Sequence, residues 1–190
     1  MQKIILASDS FLKRFVLEKS NLEFEIDPAD IDESELDYLA PKNKVREISL
    51  KKCEAVYEKH PDSIIIAADT LTLIGKKTIG KPKSMEDAYR MALGQSGKEI
   101  IALTGITLYF PQKGFFTELS ETRIKYQKFN HSDLERVFKG NSALRMASGL
   151  GLFIDAPGFT LVKSINGSYT GAYGIPMEIV YKYLRRFGYL

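Results

Sequence analysis

The sequence predicts an α/β or α+β fold with a mixed sheet, and three observations carry this prediction. In the first half, apolar segments of strand character alternate with segments of helical periodicity, which favours parallel strands joined by helices. In the middle, two long β-type runs are joined by Pro-Gln-Lys-Gly, which predicts a hairpin. The chain has 190 residues, of which 44% are hydrophobic, enough for one compact domain or two small lobes.

The first half of the chain contains two predicted strands, each followed by a helix. Residues 3–7 predict a buried strand, and Ser8, Asp9 or Ser10 could cap the helix that follows. We expect this helix to bury an apolar stripe made of Phe11, Phe15, Leu12 and Val16. A strand is predicted at 22–26, an acidic loop follows it, and a helix is predicted over 43–60.

The second half begins with an apolar strand, 63–68, which we expect to end at Asp69, with a turn starting at Gly75. A helix is predicted from a cap at Ser84 to Gly94. The remaining predicted elements are, in order, the hairpin strands within 98–110 and 114–129, a short helix at 131–140, a strand near 159–165, and a final helix at 176–187.

Composition excludes several classes of function. A net charge of +3, with lysines and arginines scattered along the chain, gives no basic stripe for nucleic acid. No apolar run approaches the roughly 20 residues that span a membrane, so we expect neither a nucleic acid nor a membrane partner. The single cysteine, Cys53, fits a reducing cytoplasm. With two separated histidines, any metal is expected to be a hard cation on oxygen ligands.

Polar residues follow two of the predicted strands. If these strands are neighbours, Ser8, Ser10, Asp69 and Thr70 share one edge of the sheet, where open α/β folds bind ligands. The helix after Ser10 would point its free N–H groups at this edge, and Lys13 and Arg14 could contact a phosphate. The alternative is that these residues only cap the segments that follow them, and composition alone does not separate the two.

Four other segments carry chemical signals that alone remain ambiguous. The acidic loop with Asp32, Glu33 and Glu35 could hold a divalent cation near Asp69, or could only be solvated. Lys81 is held between Gly80 and Pro82, which suits a fixed charge on phosphate or an ordinary surface lysine. Of Lys51 and Lys52, one should face solvent and the other could approach the edge of the sheet. The glycine-dense segment 167–176 could cover a ligand or be a loop.

Taken together, these segments resemble the Maf family. The similar stretches are ILASDSFLKRFVLEK, IDES with VREISLKKCEAV, AADTLTLIGKKTIGKPKSMEDAYRMALGQSGKEIIALTGITL, and INGSYTGAYGIP. They occur in the family order and span nearly the whole chain.

The resemblance implies a nucleoside triphosphate pyrophosphatase that gives a monophosphate and pyrophosphate, with a possible link to septum formation. The implied fold is α/β and ITPase-like: a single 1–190 domain with a twisted mixed sheet flanked by helices and two lobes around one cleft. It also implies a divalent cation, Mg²⁺ or Mn²⁺, and a homodimer. The residues implied are catalytic Asp69, Glu33, Lys52 and Lys81, of which Asp69 and Glu33 also hold the metal, and substrate-binding Ser8, Ser10, Lys13, Arg14 and Thr70.

The chain departs from the family pattern at three places. Phe11 stands where a proline is usual, and Lys13 where a second arginine is common. Ser148 stands where the dTTP/UTP type carries glutamine and the 7-methyl-GTP type carries glutamate, so the base is open. The alternatives are an inosine/xanthosine triphosphatase and a non-catalytic nucleotide-binding regulator of division.

Overall fold

The computed structural model describes residues 2–80, 82–138 and 158–190. Its helices are Phe11–Glu18 (α1), Pro41–Tyr57 (α2), Met85–Leu93 (α3), His131–Phe138 (α4) and Met177–Arg186 (α5). Its strands are Ile4–Leu6 (β1), Glu25–Ile26 (β2), Ile64–Ile74 (β3), Lys77–Ile79 (β4), Glu99–Phe110 (β5), Gly114–Tyr126 (β6) and Val162–Asn166 (β7). Short 3₁₀ turns lie at Glu33–Leu36, Gly158–Leu161 and Gly171–Tyr173. Within these ranges, no helix is both long enough and apolar enough to cross a lipid bilayer.

The strands of the described chain form a sheet in the order β2-β1-β3-β5-β6-β7, with β4 paired to β3. β1 pairs in parallel with β2 and with β3, whereas the β3–β4 and β6–β7 pairs are antiparallel. The predicted mixed α/β sheet is therefore confirmed. The described residues divide into two compact units, one within 1–70, 103–121 and 168–190, the other within 71–102 and 122–167. The predicted cleft between two lobes stays a prediction.

The first unit is built around the contact of α2 with the sheet. Cys53 and Val56 of α2 are fully buried in a cluster with Ile5 of β1, Ala7 directly after that strand, and Ile65 and Ala67 of β3. Farther along, the backbone of α2 presses against Gly105 of β5, where an added Cβ would lie 2.1 Å from the carbonyl oxygen of Val45. Glycine at this position is what allows α2 to lie so close to the sheet.

β3 is longer than predicted, and the expectation that it ends at Asp69 is wrong. The strand continues to Ile74, then turns at Gly75, whose φ is +58°, and pairs with β4. The burial pattern explains the error: Ile64 to Ala68 are fully buried, whereas Asp69 and the next two residues are half-buried. The acid marks a change of environment within the strand.

Two further expectations need correction. The buried face of α1 consists of Leu12, Val16 and Leu17, while Phe11 is 39% exposed and Phe15 only half-buried. The aromatic pair was therefore assigned to the wrong face. The strand expected at 22–26 is reduced to Glu25–Ile26, and both of its residues are exposed.

In the second unit, local capping sets α3. Ser84 Oγ accepts a hydrogen bond from the backbone N–H of Asp87 at 3.1 Å, and Gly94 ends the helix, as the sequence predicts. After α3, Ser96 Oγ donates to the carbonyl of Phe129 and accepts from its N–H, at 2.7 and 2.8 Å. This pair of bonds fixes the Ser-Gly turn to the end of β6.

Candidate active site

The site lies at the carboxyl end of β1, where the chain reverses its direction of travel across the sheet. From β1 the chain passes through α1 to β2 on one side, then through α2 to β3 on the other. Pairing with β3 continues to Ala7, whose N–H donates to Ile66 at 2.9 Å, and the chain then leaves the sheet at Ser8. In open α/β sheets, this kind of reversal is where ligands bind.

On the α2 side of β3, one lysine holds two acids. Lys52 Nζ lies 2.6 Å from Glu33 Oε1 and 3.2 Å from Asp69 Oδ1. The side chains of Lys52 and Asp69 are only 15% and 13% exposed, whereas Glu33 is 47% exposed. Three predicted site residues from the 3₁₀ turn, α2 and β3 thus meet at a single ammonium group.

The charge state of Lys52 follows from its surroundings. Burial opposes ionisation and alone would lower the pKa of Lys52, but the carboxylates of Asp69 and Glu33 together outweigh it. The net effect raises the pKa of Lys52 above its ordinary value, so the ammonium stays charged at neutral pH. Adjacent residues of a helix point in different directions, and Lys51 accordingly lies at the protein surface, with its Nζ 3.4 Å from Glu35 Oε2.

On the other side of the sheet, α1 begins with an unused cap. Ser10 occupies the N-cap position, yet its side chain makes no capping hydrogen bond. The Ser8 hydroxyl accepts instead from the N–H of Ser10, at 3.2 Å. No acidic residue lies in the first turn of α1, so no side-chain carboxylate there repels an anion at the positive end of the helix dipole. The capping alternative for Ser10 is therefore not supported.

The cationic residues of α1 are placed differently from each other. Lys13 runs beside Gly174, since an added Cβ on that glycine would lie 3.1 Å from Lys13 Cε and 3.1 Å from Thr70 Oγ1. Arg14 lies along the helix surface, 3.3 Å from Glu18 and 5.9 Å from the centre of the Phe11 ring. Lys13 is thus directed to the site, whereas Arg14 would have to leave Glu18 to reach a phosphate there.

Asp69 and Thr70 are consecutive in β3, so their side chains point to opposite faces of the sheet. Asp69 meets Lys52 of α2, and Thr70 meets Thr104 of β5 at 2.9 Å. The candidate site therefore straddles β3 at the end of β1, with the acid–lysine cluster on one face and the start of α1 on the other.

The glycine-dense segment forms part of this site. Its 3₁₀ turn places Gly171 against β6, where an added Cβ would lie 2.7 Å from Ser120 Oγ, and Gly174 has a φ of +94°. Sequence reasoning missed Thr104, Gly171 and Gly174 as individual site residues. In the sequence, these residues are indicated only by the Thr-Gly and glycine-rich motifs, which occur in the same order as in the family.

The described residues supply two of the oxygen ligands that a hard divalent cation needs. Glu33 and Asp69 offer two carboxylates, and Mg²⁺ is commonly held by one or two carboxylates together with waters and substrate phosphates. Among the described residues, no group of three or more His, Cys, Asp or Glu side chains is placed to hold a metal. Lys81 and Ser148 lie outside the described residues.

These features define an α/β protein with a charged site at the end of a parallel strand, suited to an anionic ligand. Residues 3–187 match the model of the family described as Maf-like protein. The chain belongs to the Maf-like protein family.

Curated relatives match over almost the full chain. A protein named dTTP/UTP pyrophosphatase from Ruminiclostridium cellulolyticum is 34% identical over 181 residues, covering 94% of this chain and 92% of that protein. The protein of that name from Carboxydothermus hydrogenoformans is 32% identical, with coverage of 98% and 100%. A solved HAM1 protein from Coxiella burnetii aligns with 66% of this chain and 73% of its own, at 14% identity and a TM-score of 0.44.

Proposed function

We propose that this protein hydrolyses a pyrimidine nucleoside triphosphate, of which dTTP and UTP are the leading candidates, to the monophosphate and pyrophosphate. The observation that carries the proposal is Lys52, which holds the carboxylates of Glu33 and Asp69 together beside the end of β1. Family membership and the names of the curated relatives support the same activity.

The reaction adds water to the α-phosphorus and breaks its bond to the oxygen that bridges to the β-phosphate. In this proposal, Asp69 accepts a proton from the attacking water. The ammonium of Lys52 lies 3.2 Å from Asp69 and offsets negative charge on the phosphates during bond cleavage. The positive end of the α1 dipole, with Ser8, Ser10, Lys13 and Arg14, binds the phosphate chain. Lys81 is proposed to add a further charge.

A divalent cation, Mg²⁺ or Mn²⁺, is part of the proposal, with Glu33 and Asp69 as its protein ligands. When bound, the cation would offset phosphate charge and lower the pKa of a bound water. The protein's own contribution is two carboxylates, those of Glu33 and Asp69, which lie on either side of Lys52 at the candidate site.

The choice of pyrimidines over 7-methyl-GTP or inosine nucleotides depends on the relatives' names, because Ser148 lies outside the described residues. The expectations of a homodimer, of a cytoplasmic location and of a link to septum formation remain part of this proposal. Gel filtration, cell fractionation and a deletion phenotype would test each of these three separately.

The experiment is a pyrophosphate-release assay with a panel of nucleoside triphosphates and either Mg²⁺ or Mn²⁺. We expect dTTP and UTP to be hydrolysed, and Asp69→Asn to lower kcat at least about a hundred-fold. In heavy-oxygen water, the label should enter the monophosphate, because attack is at the α-phosphorus.

The matched control for the acids is Glu35→Gln, since Glu35 shares the 3₁₀ turn of Glu33 but pairs with Lys51 at the surface. It should retain near wild-type turnover, whereas Glu33→Gln should not. Nucleotide binding without pyrophosphate release, in every metal and with every nucleotide, would refute the enzyme and favour the non-catalytic regulator.

A further inference from the structure

A chain of three polar groups leads from the candidate site into the protein. Thr70 Oγ1 lies 2.9 Å from Thr104 Oγ1, and Thr104 Oγ1 lies 2.9 Å from the carbonyl oxygen of Gly171. Thr104 is completely buried, while Thr70 is half-buried at the site. This hydrogen-bonded series thus begins at Thr70, in the candidate site, and ends at Gly171 of the glycine-dense segment.

The direction of both hydrogen bonds follows from counting protons. A hydroxyl has one proton to donate, and a carbonyl oxygen can only accept. The bond to Gly171 therefore uses the proton of Thr104, and the bond between the two threonines must be donated by Thr70. The only proton of Thr70 is committed to the protein interior, so toward a ligand its hydroxyl can act only as an acceptor.

The carbonyl at the far end is held in place. The N–H of Gly171 donates to Ser168 Oγ at 2.8 Å, and Ser168 Oγ donates to Glu178 at 2.8 Å. Gly171 also packs so closely on Ser120 and Ser168 that no side chain fits there. This backbone cannot readily rotate its carbonyl away from Thr104. The hydrogen bonds therefore keep their direction, from Thr70 to Thr104 and from Thr104 to Gly171.

We propose that Thr70 is a specificity-determining residue that accepts a hydrogen bond from the nucleoside part of the substrate, and not a phosphate ligand. Phosphate oxygens carry no proton for it to accept at neutral pH, so the two acceptors would repel. The donors that dTTP and UTP share are the 3′-hydroxyl of the sugar and the imide N–H of the base. This inference rests on the proposed function and assigns part of the same site.

The test compares Thr70→Val, which has similar shape but no hydroxyl, with the wild-type enzyme on three substrates. These are dTTP, its 3′-deoxy analogue and its N3-methyl analogue, each lacking one donor. For the wild type, removing the donor that Thr70 reads should lower kcat/KM about ten-fold. For Thr70→Val, kcat/KM on dTTP should be about ten-fold below the wild-type value, and it should fall no further on that analogue. If this analogue is the 3′-deoxy one, Thr70 binds the sugar; if it is the N3-methyl one, Thr70 binds the base.

Two variants serve as controls. Thr70→Ser keeps the hydroxyl and should restore the discrimination. Thr107→Val removes another buried hydroxyl of β5, one bonded to Ser49 and Thr117 at 2.9 Å each, and should leave the discrimination intact.

If Thr70→Val lowers kcat/KM equally on all three substrates, the proposal is overturned. Thr70 would then act on a part that the substrates share, such as the phosphates, or through Lys13. If the wild type releases no pyrophosphate from dTTP, the proposed function itself fails. The two failures are therefore distinguishable.

Discussion

Replacing Gly105 with alanine is expected to destabilise the protein and to disable the site through α2. The added Cβ would lie 2.1 Å from the carbonyl oxygen of Val45, 2.3 Å from its carbonyl carbon and 2.6 Å from the nitrogen of Arg46. All three atoms are backbone, so no side-chain rotation relieves the contact. To reach ordinary van der Waals separation, α2 must retreat by about 1 Å or more.

The cost can be estimated from the effects of overpacking, about 1–3 kcal/mol. For a chain of this size, about 2 kcal/mol corresponds to a fall of about 4–8 °C in Tm. The same helix carries Lys52, which lies 3.2 Å from Asp69, and a displacement of about 1 Å at a reacting group can cost about a hundred-fold in rate. Activity at a temperature well below Tm should therefore fall as well.

The assays are thermal unfolding by circular dichroism and pyrophosphate release from dTTP. The control is Gly94→Ala, where the added Cβ meets carbonyl oxygens at 3.3 and 3.4 Å and the backbone is already helical, so Tm should change little. A Gly105→Ala protein that melts with the wild type and turns over at the wild-type rate would refute the close packing of α2 on β5.

Three further predictions follow from single contacts. Lys52→Met should lower kcat at least about a hundred-fold, whereas Lys51→Met should change it little, as measured by pyrophosphate release. The hydrogen bond from His60, together with Lys59, lowers the pKa of Asp27 more than burial raises it. The ionised carboxylate of Asp27 therefore stabilises the fold fully above about pH 4, and this stabilisation is lost as the pH falls through the lowered pKa. In urea unfolding from about pH 6 to about pH 3, the difference in free energy of unfolding between the wild type and Asp27→Asn should shrink. Ser84→Ala should cost about 1 kcal/mol in the free energy of unfolding, by the same method at pH 7.

The sequence correctly predicted those structural elements that depend on contacts between residues close together in the chain. The cap at Ser84, the end of α3 at Gly94 and the hairpin of β5 and β6 each depend on neighbouring residues, and all three are confirmed. The end of β3 was mispredicted because an acid inside a strand and an acid after a strand look alike in one sequence. Pairing with other strands extends β3: β4 pairs with Thr72 to Ile74 through the turn at Gly75, and β5 lies on the other side of β3 from β1.

The site was less accessible to sequence reasoning, because its residues are distant in the chain. Spacing alone left Glu33, Lys52 and Asp69 ambiguous, and only the ordered family resemblance joined them. The structure brings these three together, although their catalytic roles stay predictions. Thr104 and Gly171 were missed because a threonine in a strand and a glycine in a loop are common, and their significance depends on a tertiary hydrogen bond.

The central claim is that Glu33 and Asp69 act as one unit through Lys52. A double-mutant cycle on kcat/KM for dTTP, with Glu33→Gln, Asp69→Asn and the pair, measures this coupling directly. The account predicts that the double variant is little worse than the poorer single variant. Losses that multiply across the two positions would show that the acids act independently and would contradict it.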